Sequence, residues 1–205
     1  MRFVTARARM DKDFTMAAAS VNGFAIQYAG DAIKADKQVV LVAVSQRGMS
    51  LEHAHVDFRW DPEVALAAVK QDAKALRIAG ADLRLDREYL IKVAKCNGLA
   101  VQHMLISFWS DEDIIFEAVK QNGMALEFAY CVPTPRYKSI ALEAVRMNGL
   151  SLQFASELRC DPDVVSAALQ QNPAAEKFIE RQWHYAVAAR TCEEHASGLK
   201  RIRQA

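Results

Sequence analysis

Apolar residues along this chain fall into short blocks that recur at a fixed step. In the run Ile114, Ile115, Phe116, Ala118 and Val119 they form two groups three to four residues apart, which is the spacing of one face of an α-helix. The same arrangement recurs upstream and downstream. It registers the whole chain once Gly23, Gly48, Ala73, Gly98, Gly123, Gly149 and Pro173 are taken as equivalent, at successive steps of 25, 25, 25, 25, 26 and 24 residues. Seven copies then open at Asp11, Asp36, Asp61, Asp86, Asp111, Tyr137 and Asp161, and positions within a copy are counted from these residues.

Each copy predicts a helix of about 11 residues, helix A. Asp at position one in six of the seven copies is an N-cap, Pro62 and Pro162 at position two suit the first helical site, and Asp13, Glu63, Glu88, Asp113 and Asp163 at position three complement the helix dipole. Apolar side chains at positions four, five, six, eight and nine make a stripe wider than a surface helix needs, so helix A is expected to lie between neighbouring copies. Position twelve carries Asn22, Arg47, Asp72, Asn97, Asn122, Asn148 and Asn172, mostly followed by Gly. That pairing predicts a helix end with a left-handed residue. A second, shorter helix follows. Its position fifteen is always Ala or Ser, its position sixteen mostly Ile, Leu or Val, and its position eighteen is Tyr28, His53, Ile78, His103, Phe128, Phe154 and Phe178, directed inward. The connector adds an apolar anchor, such as Ile33, Phe58, Leu83 or Phe108.

Isolated helices below about 12 to 15 residues are marginal in water, so the copies must stack. The expected fold is all-α, an α-solenoid or superhelical array of about seven 25-residue helix-turn-helix repeats, on the order of 60 to 70 Å long at roughly 8 to 10 Å per packed helix. Residues 1–10 read as a partial repeat or N-terminal cap, 11–185 as the seven hairpins, and 186–205 as the remainder of a C-terminal capping helix, begun near Pro173, with a basic tail. The half copy at the start is what a fragment or one piece of a longer protein would show. The competing reading of Arg2, Arg7 and Arg9 is an organellar presequence.

The segments DIIFEAVKQNGMALEFAY, Asp111 to Tyr130, and SIALEAVRMNGLSLQFASELRCDPDVVSAALQQN, Ser139 to Asn172, resemble tandem units of the family described as domain of unknown function 4116. The likeness spans essentially residues 11 to 180. It departs at Arg47 and Ala73, at the aromatic position through His53, Ile78 and His103, and at the connector from Pro133 to Arg136. The resemblance implies a tandem helical array and brings no activity with it.

Composition narrows the function. With 26 Lys and Arg against 25 Asp and Glu the net charge is +1, which lacks the uniformly basic field of non-specific nucleic-acid binding. No apolar run approaches the roughly 20 residues of a membrane span. Cys96, Cys131, Cys160 and Cys192 lack short paired spacing, which fits a reducing compartment and a cytoplasmic location, an organelle being the alternative if the arginine-rich start is a presequence. No phosphate-binding loop, dinucleotide fingerprint, nucleophile elbow or zinc-protease motif occurs. Cys192 and His195, with His184 upstream, have zinc-like spacing but too few ligands, and His53 and His103 stand two copies apart. His55 is read as a turn residue with no visible partner. The chain is therefore expected to be no enzyme, to hold no metal or cofactor and to have no small-molecule substrate.

Solenoids bind through the same outward position of successive units. Here that position is seventeen: Gln27, Glu52, Arg77, Gln102, Glu127, Gln153 and Lys177, polar in every copy and variable in charge. The fifth copy, with Asp111, Glu112, Asp113, Glu117 and Glu127 against Lys120, offers an acidic end to a basic partner. The expected function is a non-enzymatic scaffold or adaptor for another protein or a multisubunit complex. The alternatives are a non-catalytic spacer array of a larger enzyme or effector, and an RNA-binding solenoid, which lacks a basic stripe on that ladder.

Overall fold

The computed structural model describes residues 6–132 and 134–179. It is helical, with no strand among the described residues. Helix A occupies Lys12–Val21, Lys37–Gln46, Pro62–Gln71, Arg87–Cys96, Glu112–Gln121, Thr134–Met147 and Pro162–Gln171. Six of these begin at the expected Asp, whose carboxylate accepts hydrogen bonds from backbone N–H groups of the first turn: Asp61, for example, takes those of Glu63 and Val64. The sixth has no acid to start it. It begins three residues earlier, within the expected connector, and Tyr137 lies inside it, its hydroxyl donating to the Phe154 carbonyl at 3.1 Å.

The second helix of each copy, helix B, is a 3₁₀ segment: Gly23–Tyr28, Gly48–His53, Ala73–Arg77, Gly98–His103, Gly123–Cys131, Gly149–Phe154 and Pro173–Phe178. Six of the seven have five or six residues, about two turns of 3₁₀ helix but barely one and a half of α-helix, and Gly123–Cys131 runs to nine. Pro173–Phe178 keeps this form and Ile179 is extended. The long capping helix expected from about Pro173 therefore does not begin there, and the rest of its expected span, like the basic tail, lies outside the described residues.

The glycine after helix A is required for a different reason from the expected one. None of the described glycines has positive φ. The turn is made by the residue before it, extended at φ −145° in Asn22 and −151° in Asn148, whose side chain then accepts from the N–H two residues on, that of Phe24 or Leu150. What the glycine permits is contact between copies. A Cβ at Gly23, Gly48, Gly98, Gly123 or Gly149 would stand 2.3 to 2.4 Å from the carbonyl oxygen of position eight of the following copy, namely Ala43, Ala68, Ala118, Ala144 or Ala168.

Behind this contact, positions four, five, eight and nine are sealed in copies two to six, while Phe14 at position four of the first copy is exposed. Val39, Val40, Ala43 and Val44 in copy two, and Ile114, Ile115, Ala118 and Val119 in copy five, have no exposure. Positions fifteen and sixteen of helix B join them, as in Ser50, Leu51, Ala125 and Leu126. Position six remains half-buried, in Leu41, Leu66, Ile91, Phe116 and Leu142, so it forms the outer margin of the stripe.

Two further devices join the copies. The glycine N–H donates to the side-chain oxygen of Gln at position eleven of the next copy: Gly23 to Gln46 at 2.7 Å, Gly48 to Gln71, Gly98 to Gln121 at 2.7 Å and Gly149 to Gln171 at 2.5 Å. At the helix starts, Lys12 pairs with Asp36 at 2.7 Å, Lys37 with Asp61 at 2.7 Å, Arg87 with Asp111 at 2.6 Å and Lys138 with Asp161 at 2.8 Å. The junction between copies three and four lacks all three features. Pro62 replaces the cation, Ala73 the glycine and Cys96 the glutamine, while Val93 stands where the other junctions described above have Ala. A different bond crosses it, from Asn97 Nδ2 to the Val69 carbonyl at 2.8 Å.

Three substitutions test the glycine contact. Ala118→Leu and Gly98→Ala each overpack one junction, and each should lower stability by about 1–3 kcal/mol. Gln121→Met strands the buried Gly98 N–H and should cost about 1–3 kcal/mol. The denaturant midpoint of each variant is the measurement. By native-state hydrogen exchange, amides bordering the junction of copies three and four should open at lower free energy than those of the junctions on either side.

Candidate interaction surface

Helix B segments of consecutive copies pack on one another in order along the chain, which sets position seventeen of each beside the next. Gln27, Glu52, Arg77, Gln102, Glu127 and Lys177 are exposed there and Gln153 is half-buried. Position eighteen, on the other side of the segment, is half-buried in every copy. The ladder read from the sequence is thus a row of polar side chains along one edge. Glu52 and Arg77 border a shallow groove of about 400 Å³ together with Met49, Arg59, Lys74 and Ile78, and Arg59 donates to the Glu52 carbonyl at 3.3 Å.

The irregular residues of the repeat have local partners. Arg47, in place of Asn, lays its guanidinium 4.7 Å from the centre of the Phe24 ring, which meets His53 edge-on at 5.6 Å. His55 is not without a partner, since its Nδ1 accepts the Asp57 N–H at 3.5 Å and caps Val56–Arg59. His103 replaces an aromatic residue and leaves Nε2 buried with no hydrogen bond. Burial, helped by the Arg77 and Lys74 charges and opposed by Asp72, holds its pKa below the ordinary value. Cys96 is a free thiol whose pKa is raised by burial, which makes it a poor nucleophile. Among the described residues no three His, Cys, Asp or Glu side chains gather as a metal site. Cys192, His195 and His184 lie outside the described residues.

The acidic patch expected on the fifth copy is largely neutralised. Arg87, from the copy before, holds Asp111 at 2.6 Å and Asp113 at 2.7 Å, Arg136 reaches Glu112 at 3.1 Å and Asp113 at 3.0 Å, and Lys120 lies 3.4 Å from Glu117. The sequence shows these acids clustered but not that Arg87 and Arg136 face them, because those two come from 23 to 26 residues away. The recurrence of Gln at position eleven and of Lys or Arg at position two was the available signal for both inter-copy links.

These links bear on ionisation. The Lys12 hydrogen bond, joined by two backbone N–H groups, holds Asp36 below the ordinary carboxylate range. At Asp61 and Asp161 burial pushes upward, but the hydrogen bonds from Lys37 and Lys138 and from the first-turn amides outweigh it and the pKa is lowered. The Arg87 hydrogen bond leads the lowering at Asp113.

A family model described as Domain of unknown function (DUF4116) matches residues 11–59, 36–84, 86–130 and 137–178. Each match spans nearly two of the 25-residue copies, and together they cover most of the chain. No match was found among curated proteins or among solved structures. No helix among the described residues is long and apolar enough to cross a membrane.

The lowered values give stability a two-step acid dependence. A group whose folded pKa is depressed favours the folded state above its unfolded pKa, and that contribution is lost as protons bind. His103 should therefore cost stability as pH falls below about 6.5, and Asp36, Asp61, Asp113 and Asp161 below about 4. His103→Phe, the residue of copies five to seven at that position, should abolish the upper step and leave the lower one. Thermal midpoints between pH 8 and pH 3 separate the two.

Proposed function

We propose that this chain, which belongs to the family described as domain of unknown function (DUF4116), is a non-enzymatic helical-repeat scaffold or adaptor that binds another protein along the position-seventeen edge. The observation that carries the reading is the division of labour within each copy. Positions four, five, eight, nine, fifteen and sixteen are committed to stacking, whereas position seventeen contributes little to it, stays polar and changes charge from copy to copy. A surface that varies while its support repeats is how solenoids acquire specificity. Side chains projecting from stacked helices are also held in register, which lowers the entropy lost on binding. Such a chain serves as a subunit of a larger assembly.

The test is paired substitution. Replacing Arg77, Gln102 and Glu127 together by Ser should leave helicity and melting nearly unchanged, because exposed substitutions cost within about 0.5 kcal/mol each. The same change should reduce recovery of the partner when the tagged protein is captured and its companions are identified by mass spectrometry. The comparison variant is Lys70, Lys95 and Lys120 to Ser, which tests the outer face of helix A as the alternative surface. Loss of the ladder's partner with the helix A variant but not with the ladder variant overturns the choice of edge. Loss with neither overturns both faces.

A further inference from the structure

Position ten, on the outer face of helix A, reads Ser20, Ser45, Lys70, Lys95, Lys120, Arg146 and Gln170. Four consecutive copies therefore carry a cation at one place, and all four are exposed. Stacked helices set such side chains roughly 8 to 10 Å apart, about the Debye length at physiological salt, so neighbours repel. The cations at position two are different, because Lys12, Lys37, Arg87 and Lys138 each grip an acid of the next copy. Of the four at position ten, Lys120 has a neighbouring acid in Glu117, at 3.4 Å. No ion pair is formed by Lys70, Lys95 or Arg146 among the described residues.

The column borders two grooves. One, of about 590 Å³, lies between copies three and four, at the junction that lacks the glutamine clamp, and is lined by Leu66, Ala67, Lys70, Lys95, Cys96 and Gln121, with Glu63 at its edge. The other, of about 650 Å³, lies between copies six and seven, where Leu142 and Ala167 form the apolar part and Arg146 and Asp163 also line it, Asp163 being held by Lys138 at 2.9 Å. Exposed Lys92 adds a further positive charge to the fourth copy. An apolar floor beside the position-ten row of cations fits a chain carrying carboxylates at a matching interval with apolar residues between them. In a polyproline II segment every third side chain falls on one face and three residues span about 9 Å, close to the interval of the column. Single-stranded RNA fits less well, because it needs exposed aromatic faces for stacking. Position six offers Leu66, Ile91, Phe116 and Leu142, and the Phe116 ring is already approached by Lys120 at 5.5 Å and Arg136 at 5.8 Å.

We propose that the outer face of helix A, centred on the groove between copies three and four and continued by Lys120 and Arg146, docks an extended acidic segment of a partner protein. This goes beyond the ladder reading and does not depend on it. The probe is a fluorescein-labelled twelve-residue peptide of repeating Asp-Pro-Pro, whose residues favour the polyproline II backbone, titrated with the full chain and followed by anisotropy. Binding should weaken steeply with salt and fall at least tenfold when Lys70, Lys95 and Lys120 are replaced together by Gln. It should fall comparably with Ala67→Glu, a residue that helix A accepts at position seven in copies five and six as Glu117 and Glu143. The Arg77, Gln102 and Glu127 to Ser variant should bind the peptide like the parent, so failure here and failure of the ladder remain distinguishable. An Asn-Pro-Pro peptide should not bind. No binding of the acidic peptide at low salt, or equal binding by the parent and both helix A variants, overturns the proposal. So does tighter binding of a twelve-nucleotide oligouridine that is lost in the same variants.

Discussion

The array depends on one contact, the meeting of the backbone after helix A with the carbonyl at position eight of the next helix A. At that approach no side chain fits, since a Cβ would lie 2.3 to 2.4 Å from the oxygen. The rest of the repeat follows from keeping the two backbones that close. Position eight is small in the copies where glycine faces it. The glycine N–H turns toward the neighbour and meets a Gln four times. The side chains at positions four, five and nine then reach across to close the interior, where close contact gains dispersion energy. Interiors packed at crystal-like density transmit such constraints. The near-constant step of 25 residues reflects the same requirement, because every copy must present its carbonyl at the same place.

The charges at the helix starts serve the same order at a different strength. One aspartate does two things at once: it caps its own helix and accepts a cation from the copy before, as Asp61 does with Glu63 and Val64 on one side and Lys37 on the other. Exposed ion pairs contribute little stability, typically under about 1 kcal/mol. Their value lies in register, because a cation can satisfy the neighbouring cap at a single stagger of the two helices. The apolar interior, being non-directional, specifies that stagger less sharply.

The sequence made the copies, their order and their buried positions legible, since periodicity and capping report on the chain's own local preferences. Leu51, Leu76, Leu126 and Leu152 are sealed where the pattern set them. What it could not report was the identity of atoms supplied by a neighbour. Glycine was therefore found at the right place for the wrong reason, a left-handed turn in lieu of a close approach. The acids of copy five read as free because Arg87 and Arg136 lie in adjoining segments. Helix B read as a short helix, but not as 3₁₀, since five or six residues carry too little periodicity to separate a repeat of 3.0 from one of 3.6. The ladder at position seventeen was legible as an exposed row, because polarity in every copy is a direct statement about solvent.

Two kinds of repetition coexist in the chain, and they carry different meanings. Gly after helix A, Ala at position eight, Gln at position eleven and the cation at position two recur because each has a partner one copy away. Lys70, Lys95, Lys120 and Arg146 recur with no such partner apart from the Glu117 beside Lys120, and like charges in a row oppose the stacking that the other repeated residues promote. A feature that repeats against the interest of the fold is accounted for outside it. The groove beside Lys70 and Lys95 lies at the junction where glycine, glutamine and the position-two cation are all missing.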